Sequence, residues 1–368
     1  MGNALTTCCF LGQQADDDEA ADGLGMMVSP SGRGYSGTGV HDSRRLTEDS
    51  VIETPTTWQQ VMGGGHGDLI TAVALCKDLS PQVRLASTSL DQSIKVQSPL
   101  AQDASSTFTK SFDTSLLNSA WLSADALAVG TRSGDVVRLI AGHASLSDAH
   151  TMGSHQLGVT GMAAFGGYLC TGSRDGEVKF WDLATLVNTA SLKVHRNVVT
   201  AIAPMGPNLF CQSSEDKSLR VWDVRTGSVA VQFPKQQYIL TSCAVAGGGR
   251  DNAHLIVTGS SGGGNQMQGA LLTLWDIRTS GKVQDFRGHE SGISDCSFIN
   301  ERLFVSCSKD STVRLWGVDA QSALDTMYLE RAPTCCDTTR DGLLAFGNTK
   351  GDLFTAHVDT ASPGFLAT

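Results

Sequence analysis

Histidine, a hydroxyl residue and aspartate recur as a set along this chain, and these are the side chains from which a nucleophilic hydrolase builds its base, nucleophile and orienting carboxylate. His155, Thr171, Asp175 and Trp181 stand in register with His289, Ser306, Asp310 and Trp316. A further set, His195, Asp216 and Trp222, has Gln212 where the hydroxyl belongs, and His66, Ser87 and Asp91 precede Gln97 instead of tryptophan. An active site is made once, whereas a structural device is made once per repeat. Repetition therefore assigns these residues to structure. No catalytic residue is expected, since the chain shows no other paired acid and base and no nucleophile elbow.

A second kind of chemistry is written at the N-terminus. Met1-Gly2-Asn3-Ala4-Leu5-Thr6 fits the M-G-x-x-x-[ST] pattern for myristoylation of Gly2. A single myristoyl chain holds a protein to a bilayer only marginally, so stable attachment needs a second signal. Cys8 and Cys9 supply it as palmitoylation candidates, while Asp16-Asp17-Asp18-Glu19 excludes a polybasic patch. Residues 11 to 53 are rich in Gly, Ser, Asp and Ala without helical or strand periodicity, which predicts a disordered, lipidated leader over 1–53.

Neither cofactor nor metal is expected. The ten cysteines are scattered without a C-x-x-C pair or zinc spacing, and most sit in apolar, strand-like runs such as "YLCTGS" and "LFVSCS". The glycine-rich "GSSGGGNQMQGA" lacks the lysine and hydroxyl that complete a phosphate-binding loop. The formal net charge of -10 over 368 residues, with no basic run, disfavours nucleic acid as a partner. Free cysteines and the lack of any long apolar segment point to a cytoplasmic protein, on the cytosolic face of a membrane if acylated.

The elements that carry the recurring sets come from self-similarity. Apolar residues make up 40% of the chain, aromatics only 6%, and there are 40 glycines, a mix that favours short strands and tight turns. Aligned on the tryptophan position, Gln97, Leu139, Trp181, Trp222, Trp275, Trp316 and Ala356 are separated by 42, 42, 41, 53, 41 and 40 residues. Seven copies emerge. With "GSRDGEVKFWDL", "SSEDKSLRVWDV" and "SCSKDSTVRLWGV" as the clearest, the chain resembles the WD-repeat family over about residues 54–360.

That resemblance implies an all-β, seven-bladed WD40 propeller over 54–360, a C-terminal tail over 361–368, and ring closure by a strand within Thr54 to His66. It also implies that each set is a hydrogen-bonded tetrad in which Asp holds His, His meets the hydroxyl, and the hydroxyl reaches the indole. The fifth copy keeps only Trp275 and Asp276 of the pattern, and the second and last lack it. Those blades are expected to rely on apolar packing.

Such propellers serve as non-enzymatic platforms that bind other proteins and no small-molecule substrate. The residues preceding each turn aspartate, Leu90, Arg174, Glu215 and Lys309, are the contact candidates. "LCTGSRDGEVKFWDL", "RNVVT" and "FPKQQYILTSCAV" further resemble WD-repeat proteins of ciliated eukaryotes, which implies a place at a cilium and trafficking or GTPase-regulatory partners. An alternative rests on two W-D-x-R strings ending in Arg225 and Arg278, which resemble the motif read by adaptors of cullin-type ubiquitin ligases. A Gβ-type subunit is disfavoured because residues 11–53 hold no heptads, and a phosphoinositide-binding propeller because Phe286-Arg287-Gly288-His289 carries one arginine where two are needed.

Overall fold

The computed structural model describes residues 59–60, 65–77, 83–99, 107–142, 145–193, 197–247, 254–261 and 270–366. Over these residues the chain forms seven antiparallel sheets, each made of consecutive strands except the last. We number them as blades 1 to 7 in chain order. The tryptophan position lies on the third strand of every blade, opposite an apolar residue of the second. The pairs are Leu85↔Gln97, Leu127↔Leu139, Leu169↔Trp181, Phe210↔Trp222, Ile256↔Trp275, Phe304↔Trp316 and Leu344↔Ala356. The spacing read along the chain is thus the repeat of one strand register.

A single blade cannot bury both of its faces, so the apolar core is divided into layers between neighbours. Trp181 packs between blades 2 and 3, Trp222 between 3 and 4, Trp275 between 4 and 5, and Trp316 between 5 and 6. Between blades 1 and 2 the aromatic comes from another strand. Trp121, on the inner strand Leu116–Ser123, enters that layer, and its indole donates to the Ala74 carbonyl at 2.9 Å. The layer between blades 7 and 1 is built from Ile70, Val73, Leu75, Leu85 and aliphatic neighbours. Among the described residues it contains no aromatic ring.

Polar ties reinforce that closing interface. Thr334 donates its hydroxyl to the Ile70 carbonyl at 2.6 Å. The buried Asp337 carboxylate accepts from the Leu75 amide at 2.9 Å and from Lys77 Nζ at 2.8 Å. The threonine bond is repeated around the ring in one direction, from Thr71 to Leu116 O, Thr160 to Val199 O and Thr241 to Ile293 O. Blade 6 is joined to blade 7 by Asp295, which accepts the Cys336 amide, and burial pushes this carboxyl far above its ordinary range.

Two short segments complete blade 7 on the same edge. Gln59–Gln60 pairs with Thr355 and Phe354, inside the segment expected to close the ring. Gly364–Leu366 pairs with His357, Val358 and Asp359 of the same strand, and Phe365 is buried against the layer shared with blade 6. The expected tail over 361–368 is therefore partly a strand. Its apolar Phe365 and the glycine before it gain a ladder and a core layer at once.

Candidate functional site

The tetrads begin at a turn. In blade 3, Asp175 lies between the second and third strands, where its carboxylate accepts the Glu177 amide at 2.8 Å and the Gln156 amide at 2.9 Å. Asp91 and Asp310 hold the matching amides of Ser93 and Gly67, and of Thr312 and Glu290. This fixes the carboxylate against the histidine that leads into the blade. The Nδ1–carboxylate distances are 3.1 Å for His66, 3.3 Å for His155 and 2.9 Å for His289.

From there the network runs inward. His155 Nε2 meets Thr171 Oγ1 at 2.8 Å, and the same hydroxyl accepts from the Trp181 indole at 2.9 Å. His289, Ser306 and Trp316 repeat this at 2.7 and 2.8 Å. Both hydroxyl residues are fully buried and both of their partners belong to the protein. Neither hydroxyl is exposed to solvent. In blade 1, His66 meets Ser87 at 2.9 Å, but Gln97 replaces the indole and takes a bond from Thr107.

Burial pushes His155 down from the ordinary 6.5 to about 4, against the pull of Asp175 and with Lys179 adding to the drop. His66 and His289 are lowered for the same reason. Asp310 runs the other way. Burial would raise it, but hydrogen bonds from His289 and Thr312 hold it below the ordinary carboxylate range. These imidazoles stay neutral near pH 7, with one nitrogen donating and the other accepting.

Two supports were not legible as part of the tetrad. Lys179, two residues before Trp181, donates to the Ser154 carbonyl at 2.7 Å, and Lys95 does the same to Gly65 in blade 1. Each pins the residue before the histidine. In addition the histidine amide donates to the preceding blade, from His155 to Gly134 O and from His66 to Gly351 O at 2.9 and 2.8 Å. Both glycines have positive φ, and a Cβ on either would stand 2.4 Å from the histidine carbonyl. The tetrad therefore ties blades together as well as stiffening its own.

Blades 4 and 5 depart in opposite ways. In blade 4 both polar atoms of the Gln212 amide and the Trp222 indole nitrogen are buried without a hydrogen-bond partner among the described residues. His195 lies outside the described residues, as do Gly2, Cys8 and Cys9. Asp216 forms its turn with Ser218. In blade 5 the reading that only Trp275 and Asp276 are kept is corrected, because Trp275 donates to Thr258 Oγ1 at 3.0 Å. Thr258 escaped notice because 17 residues separate it from the tryptophan, against 10 in blades 3 and 6.

His155, Asp175 and Glu177 bring metal-ligand atoms within 4.8 Å of one another. Both imidazole nitrogens are already engaged, one by Thr171 and one by Asp175. The set is accounted for as a tetrad with a neighbouring carboxylate.

The contact candidates divide between the two ends of the blades, since turns between second and third strands lie opposite those between third and fourth. At the first end Arg174 and Lys309 are exposed, whereas Leu90 and Glu215 are half-buried. At the other, Arg225 and Arg278 adopt one posture. Each guanidinium folds back on the W-D aspartate, Asp223 at 2.9 Å and Asp276 at 2.6 Å, while staying 69% and 66% exposed.

The family described as "WD domain, G-beta repeat" matches residues 147–182, 186–223 and 280–317. The chain is 26% identical over 181 residues to pre-mRNA-processing factor 17 of Homo sapiens, covering 46% of this chain and 29% of that protein. It is 25% identical over 289 residues to a ribosome biogenesis protein WDR12 homolog of Drosophila persimilis, covering 75% and 59%. It thus spans less than two thirds of these relatives. The WD40 β-propeller domain of Doa1 superposes with a TM-score of 0.67 at 19% identity, over 81% of this chain and 96% of that one. The U3-55K structure gives 0.67 and 19%, over 83% and 100%. The three matched segments are WD40 repeats, and the fold is that of a WD40 β-propeller.

Proposed function

We propose that this WD40 propeller is a non-enzymatic docking platform for other proteins, tethered to the cytosolic face of a membrane by acylation of its N-terminal leader. The observation that carries the platform reading is the fate of the chemistry-bearing residues. The hydroxyls of Thr171 and Ser306 are buried and spent on histidine and tryptophan, while charged side chains are displayed at both ends of the blades. WD40 propeller proteins act as protein-interaction scaffolds, and those matched here bear names in RNA processing and ribosome biogenesis.

The tether rests on the Gly2 motif with Cys8 and Cys9 behind it. A place in ciliary membrane trafficking rests on the resemblance of residues 155–290 to WD repeat-containing protein thirty-one. The test compares the cellular location and captured partners of the wild type, Gly2→Ala, and Cys8→Ser with Cys9→Ser. Enrichment of the wild type at a ciliary base or membrane, lost in both variants, supports the reading. Identical distribution of all three overturns the tether, and capture of no protein overturns the platform.

A second reading is favoured by the shared posture of Arg225 and Arg278, which presents two guanidinium groups in the same frame. A cullin-ligase adaptor would recognise that frame. Retention of the adaptor by the wild type, lost on Arg225→Ala or Arg278→Ala, supports this substrate-receptor role, and no retention by the wild type eliminates it.

A further inference from the structure

Blade 5 lacks the histidine half of a tetrad, and the space is open. Leu240 opposite Ser260 in blade 5 corresponds to Val159 opposite Ser173 in blade 3, which puts Gln236 where His155 stands. Instead of reaching inward, the Gln236 amide turns back on the Pro234 carbonyl at 2.5 Å. A cavity of about 510 Å³ results, lined by Gln236, Tyr238, Thr273, Lys282, Asp285 and Arg287 among others.

The charges in this cavity are not balanced. Asp285 is committed, accepting from Thr273 Oγ1 at 2.9 Å and pairing with Lys282 at 2.8 Å. Arg287 is exposed at the rim, and its guanidinium has no hydrogen bond or ion pair among the described residues. The half-buried Tyr238 hydroxyl is likewise unengaged among the described residues. A planar cation and a hydroxyl, both unpartnered among the described residues, therefore line a polar hollow, in a chain whose net charge is -10. A guanidinium fork matches a carboxylate in two parallel hydrogen bonds, and a phenol adds a third donor. The open, polar lining differs from the enclosed, mainly apolar pocket that a small molecule needs. It suits a side chain delivered from a larger surface.

The geometry points to this cavity as a docking site for an acidic peptide segment of a partner protein, with Arg287 and Tyr238 receiving a glutamate or aspartate carboxylate. The inference rests on the platform reading and names the chemistry of one partner.

The test titrates the full chain into fluorescein-labelled hexaglutamate and follows anisotropy at low and at physiological salt, with hexaglutamine as the neutral probe. Wild type should bind hexaglutamate and not hexaglutamine. Arg287→Gln should weaken binding by at least about tenfold, Tyr238→Phe should weaken it by less, and Lys350→Gln in blade 7 should leave it unchanged. No binding by the wild type, equal binding by Arg287→Gln, or equal binding of hexaglutamine overturns the site. Displacement of the peptide by inorganic phosphate at the same concentration also overturns it, because the hollow would then be a small-anion site. If partners are captured as before by Arg287→Gln and its hexaglutamate binding is intact, the cavity assignment falls and the platform stands. If no partner is captured but hexaglutamate binds through Arg287, the platform falls and the cavity stands.

Discussion

Blades 3 and 4 place different residues at one position, and the same logic predicts stability changes of opposite sign there. Thr171→Val keeps the side-chain shape but removes the hydroxyl that both His155 and the Trp181 indole use, at 2.8 and 2.9 Å. Two buried polar groups are left unpaired, at about 1–3 kcal/mol each, partly offset by the methyl that replaces the hydroxyl. The net loss should be about 2–4 kcal/mol. Gln212→Met also keeps length and volume, but the amide it deletes has no partner at either atom among the described residues. Removing that desolvation penalty should stabilise the chain by about 1–3 kcal/mol, although the Trp222 nitrogen stays unpaired. At this size one kcal/mol corresponds to roughly 2 °C, so thermal unfolding of the full chain should show Thr171→Val lower by about 4–8 °C and Gln212→Met higher by about 2–6 °C. Two shifts of the same sign, or a Thr171→Val change within about 0.5 kcal/mol of wild type, would refute the account of both blades.

Three further outcomes follow from the geometry. In an NMR titration His155 should protonate near pH 4, and Asp175→Asn should lower that midpoint, because Asp175 pulls it upward. Since the folded value lies below the unfolded one, the stability tied to His155 is complete above about pH 6.5 and falls by about 1.4 kcal/mol per unit as pH drops toward 4. Asp337→Ala should cost about 2–4 kcal/mol in urea unfolding by stripping the Leu75 amide and Lys77 of their acceptor, whereas Lys282→Gln, which breaks an exposed pair, should change it by no more than about 0.5. Deleting residues 54–62 should reduce soluble, protease-resistant protein far more than deleting residues 1–50, because only the first removes Gln59 and Gln60 from blade 7.

The tetrads in blades 3 and 6 were legible because each is local. Its hydroxyl and tryptophan lie diagonally on the same face of one hairpin, 10 residues apart, and a two-residue side-chain period fixes which residues share a face. Once an insertion lengthened that hairpin in blade 5, Thr258 became invisible to spacing although its hydrogen bond is the same. Trp121 escaped for a different reason. It fills the layer where Leu139 falls short, from the first strand of the same blade, and no pattern along one strand reports how a layer is shared.

By itself the sequence determined the number of blades, the recurring tryptophan position and the tetrads of blades 3 and 6, since these are set by repeat length and by spacing within one hairpin. Only the tertiary structure decided which contacts seal the ring and what the departures leave behind. Thr334 reaches Ile70, and Asp337 reaches Leu75, across 264 and 262 residues, contacts that exist because seven wedges return the last blade to the first. The hollow beside Arg287 is likewise a property of volume, made where Gln236 turns away from the place that histidine fills in other blades.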